Sequence, residues 1–398
     1  MVSHIRQAYN SGYTDAKYQA LLQDVESAWN HLPPFKICET PIFIGKEMRA
    51  KLFDACEQIN DVLVRPDFKE LSKNALLKGQ IVPNEDDHTL FLQMDFGICE
   101  DKNGNLSPQL IEVQGFPSLY FYQNLLAEQY KKHFDLPENY DHLFGGLTSE
   151  DYLELLRKNI VGDCKKENVI LLEVEPSQQA TRIDFYGAEH YLGIKTKCVS
   201  DIITIDNDIF YKDDNDKLVQ VDRIVNRVIF DELVKRDDLK RQFYFTREAN
   251  VNWIGHPNWF FRISKHTLPI LKSEFVPECF FLNELQTIPT DLHNYVLKPL
   301  YSFAGSGVII NLNRHDLDMI KDPENYILQK KVNYAPIIQT PDGMAKCEIR
   351  MLMLWEKDAP RPRIINNLTR LTKGEMVGVK YNKGKTWVGG SVGYFEQD

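Results

Sequence analysis

HTLFLQMDFGICEDKNGNLSPQLIEVQGF, residues 88–116, is the stretch that decides the fold. Two apolar-rich runs flank Asn103-Gly104, a dipeptide whose residues both tolerate the positive φ of a type I′ turn, so the stretch predicts a β-hairpin. With Asn103 and Gly104 as the turn, Asp95 faces Glu112, with side chains about 5 Å apart. Alternation along the second strand predicts Leu110, Glu112 and Gln114 on one face and Ile111 and Val113 on the other. Two opposed carboxylates repel unless a cation lies between them or one keeps its proton. Oxygen ligands at this spacing suit magnesium, which binds through one or two carboxylates plus substrate phosphates. Gln114 adds a carbonyl oxygen on the same face. An acid pair on an exposed sheet face satisfies the same spacing, and Pro108, which has no N–H, leaves room for a bulge that shifts the register.

The surrounding chain has 398 residues, enough for two or three domains. Hydrophobic residues make up 43% and charged residues 26%, a balance that supports a sizeable core and argues against wholesale disorder. The net charge of -10 argues against nonspecific binding to nucleic acid or anionic membranes, while leaving local basic pockets open. Seven dispersed cysteines, none in a CxxC pair, fit reduced thiols better than a disulfide framework or a zinc site. The first residues lack the apolar run of a signal peptide, and no window reaches the length of a membrane span. A cytoplasmic location is the expectation.

Helical spacing predicts helices over 14–30 and from 46 to about 61, and residues 123–165 read as largely helical. Strands and helices then alternate: NVILLEV is a buried strand, AEHYLGIKTKCVS a helix end, a glycine and a strand, and DRIVNRVIFDEL a strand and a helix. This pattern predicts an α/β unit over 146–256. Beyond 257 come a helix in RISKHTLPILK, then YVLKPLYSFAGSGV, YILQKKV, CEIRMLMLW and RIINNLTRLTK, and a tail rich in glycine, aromatics and lysine. The acidic KDDNDK reads as a turn, because it lacks the glycine and distal glutamate of an EF-hand.

Four of these stretches carry chemistry. Lys298 ends an apolar strand that opens into a loop with Ser302, Gly305, Ser306 and Gly307. Such a loop is either a tight hairpin or a cradle whose N–H groups meet phosphate, with the lysine as a point charge. It lacks the GxxxxGK[ST] of a P-loop. Gln329, Lys330 and Val332 end a strand and are candidates for a hinge that pairs with adenine; an ordinary strand end reads the same way. Arg350 and Arg370 lie amid strand residues and require anionic partners, either a substrate or an acid such as Glu348.

In order and interval these stretches resemble an ATP-grasp domain, with the hairpin moved to the front of the chain. That arrangement is similar to the circularly permuted ATP-grasp families, the eukaryotic-type glutathione synthetases and glutathionylspermidine synthases. The resemblance implies an α/β (α+β) circularly permuted ATP-grasp fold with a central α/β substrate domain. Residues 1–145 would supply helices and the metal hairpin, 146–256 the substrate domain, and 257–398 the nucleotide segment with a C-terminal lid over 380–390. It implies an ATP- and magnesium-dependent carboxylate–amine ligase working through an acyl phosphate on a small peptide or amino-acid-like substrate. Asp95, Glu112 and Gln114 would be magnesium ligands. Lys265, Lys298, Ser302, Gly305, Ser306, Gly307, Gln329, Lys330 and Val332 would hold ATP, with Arg350 and Lys298 catalytic. Arg227, Arg370 and Lys380 would anchor the substrate, with Arg182 a further candidate. Gln114 stands where the family has asparagine, and Ser302 and Ala304 stand where glycine is usual. The same fold without turnover, a silent ATP-binding regulator or scaffold, is the alternative that Gln114 favours.

Overall fold

With strands numbered along the chain, β1 (Ile42–Ile44) lies parallel to β19 (Gly393–Glu396), which also pairs with β4 (Tyr140–Asp141). The predicted hairpin is β2 (Phe91–Glu100) and β3 (Leu106–Gln114). It continues into β16 (Gly343–Leu354), β17 (Arg363–Thr372) and β18 (Gly389–Ser391), in the order β18-β17-β16-β2-β3, with β15 (Ile338–Thr340) beside β16. A hairpin from the first third of the chain therefore shares a sheet with strands from its end. This is a computed structural model, and it describes every residue except Met1, Lys102, Phe303, Ala304, Met376, Val379 and Lys380.

One face of this sheet is apolar over β2, β3 and β16. Met94, Phe96, Leu110, Val113, Ile349, Met351 and Met353 are buried there with the inner face of helix Lys46–Leu63. That helix puts Met48, Leu52, Cys56 and Ile59 inward at the 3-and-4 spacing its sequence shows. The other face is divided. Phe91, Leu352 and Leu354 pack into a second core with helices Tyr120–His133 and Ser149–Ile160. Further along the same face, Gln93, Asp95, Glu348 and Arg350 are buried and polar.

A parallel sheet in the order β11-β10-β5-β6 is built from β5 (Val169–Glu173), β6 (Lys195–Cys198), β10 (Arg223–Asn226) and β11 (Asn252–Ile254), all between 146 and 256. An antiparallel appendage of β7 (Ile203–Ile205), β8 (Asp208–Lys212) and β9 (Leu218–Gln220) follows β6. Its turn is held by Asp213, whose Oδ1 accepts from the N–H groups of Asn215 and Lys217, so KDDNDK is a turn. The third sheet is β12 (Cys279–Phe281), β14 (Tyr326–Lys330) and β13 (Tyr295–Pro299) in that order. All seven cysteines are free, and among the described residues no helix is long and apolar enough to cross a membrane.

Three expectations are corrected here. The turn is wider than Asn103-Gly104, because Asp101 Oδ1 accepts from the N–H groups of both Asn103 and Asn105 and closes a loop over 101–105. Pairing accordingly starts one residue out of the predicted register, at Glu100 with Leu106, and a bulge then restores it, so that Asp95 does face Glu112. The bulge falls at Ile111 rather than at Pro108, and it turns Leu110 onto the core face opposite Phe96, away from Glu112. The helix in RISKHTLPILK is split into helix Pro257–Arg262 and a 3₁₀ turn, Lys265–Ile270, with Ser264 capping the second. At the C-terminus β18 pairs with β17, and β19 is buried between β1 and β4. Lys380 lies outside the described residues.

Candidate functional site

The bulge joins the hairpin to the third sheet. A bulged residue loses its ladder partner, and here the backbone around Ile111 finds partners from another part of the chain. Leu110 N–H donates to Phe275 O at 2.7 Å, Lys298 Nζ to Ile111 O at 3.0 Å, and Gln329 Nε2 to Leu110 O at 3.3 Å. Two of the residues expected to hold nucleotide are therefore clamped against the strand that carries Glu112. Lys298 is buried at the end of β13, and burial lowers its pKa against the pull of Glu112, the strongest charge acting on it.

Register sets the charged plate beside this joint. Arg350 pairs with Asp95 across β16 and β2, and Asp95 with Glu112 across β2 and β3. Arg350 grips Asp95 with two parallel bonds, Nε to Oδ1 at 2.5 Å and Nη2 to Oδ2 at 2.6 Å, while its Nη1 donates to Gln93 Oε1 at 3.0 Å. Arg370 donates to Asp95 Oδ2 at 2.9 Å and to Glu348 Oε1, and Tyr334 OH donates to Glu348 Oε2 at 2.8 Å. Burial would raise Asp95, but Arg350 and then Arg370 outweigh it and hold its carboxyl below its ordinary value. For Glu348 burial wins, with Asp95 beside it, and its pKa is raised. Glu112 is the carboxylate left partly open to solvent, with its side chain 27% exposed. Its Oε1 accepts from Gln114 Nε2 at 2.5 Å and lies 3.8 Å from Arg350 Nη2.

Lys265 opens the 3₁₀ turn and donates from Nζ to Ser302 O at 2.6 Å and Ser302 Oγ at 2.8 Å. Burial lowers its pKa to about 8, opposed chiefly by Glu112 and reinforced by Lys298. Beyond Ser302 the chain turns through Gly305, Ser306 and Gly307, with both glycines at positive φ, and returns to pair Ile309 with Leu297. Gly305–Gly307 thus lead into the returning segment, while Phe303 and Ala304 lie outside the described residues. A Cβ on Gly307 would sit 2.8 Å from Pro299. Most of the expected hinge is already engaged: Gln329 pairs with Cys279 and Val296, and Lys330 N–H donates to Glu278 O. Val332 lies just past the ladder and packs on the plate beside Gly97, where an added Cβ would come within 2.7 Å of Val332 and 2.4 Å of the Tyr334 ring. Gly97→Ala is expected to cost about 1–3 kcal/mol by overpacking, read as a lower urea midpoint; an unchanged midpoint would contradict this packing.

Arg227 follows β10 at the C-terminal end of the parallel sheet. It lies over the Phe116 ring at 4.5 Å and near Phe185 at 5.6 Å, with Nη2 3.4 Å from Thr181 Oγ1. Its Nε and Nη1 are buried without a hydrogen-bond partner among the described residues, and it lines a small, mostly apolar cavity with Asp184, Pro117 and Tyr120. Burial lowers its pKa, opposed by Glu173 and Asp184. Arg182 bonds instead to its neighbour Ser177 O.

Glu173, 5% exposed at the end of β5, has its pKa raised to about 7 by burial, against the pull of Arg227. The native state then keeps a proton that the unfolded chain releases, so stability falls as pH rises from about 4.5 to about 7. Glu173→Gln should gain on the parent across that window, by roughly 2–3 kcal/mol at pH 8. Urea midpoints at pH 5 and pH 8 check this, and a pH-independent difference would contradict it.

Sequence reading missed Gln93, Tyr334 and Gly97. Gln93 and Gly97 share the alternation that places Asp95, but nothing local marks Tyr334. The magnesium set fits poorly. Both Asp95 oxygens are taken by arginine, both Glu348 oxygens are taken by Arg370 and Tyr334, and Gln114 turns its amide N–H₂ toward Glu112. Among the described residues, no group of three acidic, histidine or cysteine side chains is arranged to hold a metal.

No family model matches the chain, and no curated protein matches it. Among solved structures, it is similar to a glutathione synthetase-like effector, GSS30, from Globodera pallida in its apo form. The TM-score is 0.53 and the identity 13%, over 96% of this chain and 97% of that one. At that identity the likeness is one of fold: this chain has a glutathione synthetase-like α/β fold, of the kind related to ATP-grasp.

Proposed function

We propose that this chain binds ATP in the cleft between the Gly305–Gly307 turn and the charged plate, and uses it to join a carboxylate to an amine. The observation that carries the reading is Glu112, a partly exposed carboxylate 3.8 Å from Arg350, on a strand to which Lys298 is bonded at Ile111 O, with Lys265 bonded to Ser302 at the start of the glycine turn. Asp95 and Glu348 already hold the two arginines, and Asp231 as well as Glu112 acts on Lys265, so the charge open to a polyphosphate is chiefly that of the two lysines.

In this reading a substrate carboxylate oxygen attacks the γ-phosphorus, the bond to the bridging oxygen breaks, and ADP leaves. The amine then attacks the acyl carbon and phosphate departs. Lys265 and Lys298 hold the phosphates, Arg350 faces the transferred phosphoryl group, and the unpaired Arg227 nitrogens offer a site for a substrate carboxylate. ADP release from ATP with pooled small carboxylates and amines tests it: the reading requires ADP that depends on a pool and is lost in Lys265→Met.

A triphosphate beside Lys265 favours its charged form. Binding is therefore expected to take up about half a proton at pH 8 and close to one at pH 9, and affinity to fall as pH rises above about 8. Titration calorimetry in buffers of different ionisation enthalpy measures this; an uptake of zero would place the triphosphate away from Lys265.

A second reading, ATP binding without turnover, is favoured by the two arginines that occupy Asp95. ATP binding with no ADP from any pool would select it.

A further inference from the structure

We infer that the cleft takes its triphosphate without a divalent cation, chiefly the two lysines supplying the charge that magnesium supplies in the enzymes the sequence resembles. The inference rests on the nucleotide reading of this cleft and holds for either of its forms.

Its ground is the accounting of lone pairs. Magnesium requires hard oxygen donors in a near-octahedral set and gives up its waters reluctantly. Of the three expected ligands, Asp95 is held in a bidentate grip by Arg350, at 2.5 and 2.6 Å, and is bonded again by Arg370 at 2.9 Å. Bidentate arginine–carboxylate pairs are among the strongest hydrogen-bonded contacts in proteins. Gln114 presents a donor, not an acceptor, to Glu112. What is left is Glu112 itself, with a guanidinium nitrogen 3.8 Å away. A doubly charged ion placed there would stand beside Arg350 and close to two lysines whose strongest charge partner is that same carboxylate. The like-charge repulsion is greatest in such a half-buried, weakly screened site.

Charge runs the other way for a bare triphosphate. Lys298 is clamped to the strand of Glu112 and Lys265 to Ser302, and a triphosphate between them would meet both ammonium groups. Glu112, the carboxylate of the cluster left partly exposed and the strongest charge on both lysines, then opposes the ligand, so its role reverses: in a metal site its loss weakens nucleotide binding, whereas here its loss strengthens it.

The test is titration calorimetry of the full chain with ATP, in excess EDTA and in excess magnesium, for the parent and for Glu112→Gln. The inference predicts affinities within about threefold of each other in the two conditions, and a severalfold gain for Glu112→Gln in both. It is overturned if magnesium tightens binding more than about tenfold and Glu112→Gln abolishes that gain; the nucleotide reading would then stand. If ATP binds in neither condition, the nucleotide reading falls and this inference with it. Thermal melting with ATP in EDTA gives a second readout should Glu112→Gln fold poorly, since the parent alone must then show the shift.

Discussion

Asp95→Ala is expected to lower stability by about 3–5 kcal/mol, among the largest effects of any single substitution in this chain. Asp95 is 1% exposed and bonded by both Arg350 and Arg370. Removing it leaves Arg350 with Gln93 and a distant Glu112, and Arg370 with Glu348 alone. An uncompensated buried charge is the costly outcome; the intact pair need not be strongly stabilising in itself. Asp95→Asn keeps one acceptor and the side-chain volume, and should lose less. Urea unfolding followed by far-UV circular dichroism measures both variants. A loss under about 1 kcal/mol for the alanine variant would mean that the ion cluster is not formed in solution.

Lys298→Met carries the second large expectation, a loss of ATP affinity of roughly 10- to 150-fold with modest loss of stability. Methionine keeps the buried stem, so packing survives, while Ile111 O loses its donor. A hydrogen bond to a charged group contributes about 1.5–3 kcal/mol, which sets the range of the affinity loss. The paired outcome is informative. Weaker ATP binding at nearly unchanged stability places Lys298 on the ligand, whereas lost stability at unchanged affinity assigns it only to clamping the bulge.

The hairpin was legible because its strands are local and alternate cleanly. Its decisive pairing, Asp95 with Glu112, was reached through a turn that does not form: the Asp101 carboxylate widens the loop and the bulge at Ile111 cancels the offset. No local residue announces that bulge. Its cause lies far along the chain, where Lys298, Gln329 and Phe275 use the freed backbone. The Arg350–Asp95 grip was illegible for the same reason, since it depends on β2 meeting a strand 255 residues later.

What the glycines of the tail do was not legible either: a Cβ on Gly389 would lie 2.3 Å from Lys36 O and one on Gly393 2.9 Å from Asn367 Oδ1. Those glycines allow close packing of β18 and β19 on their neighbours, which lie far off in sequence. Gly97 serves the same purpose on the plate, and a glycine inside a strand, on the face of Gln93 and Asp95, was the available hint.

The most direct measurement is a crystal structure of the chain with a non-hydrolysable ATP analogue. The account predicts phosphates against Lys265, Lys298 and the turn at Gly305–Gly307, with the base beside Val332. An analogue bound elsewhere, or a cleft that stays free of it at saturating concentration, would contradict the account.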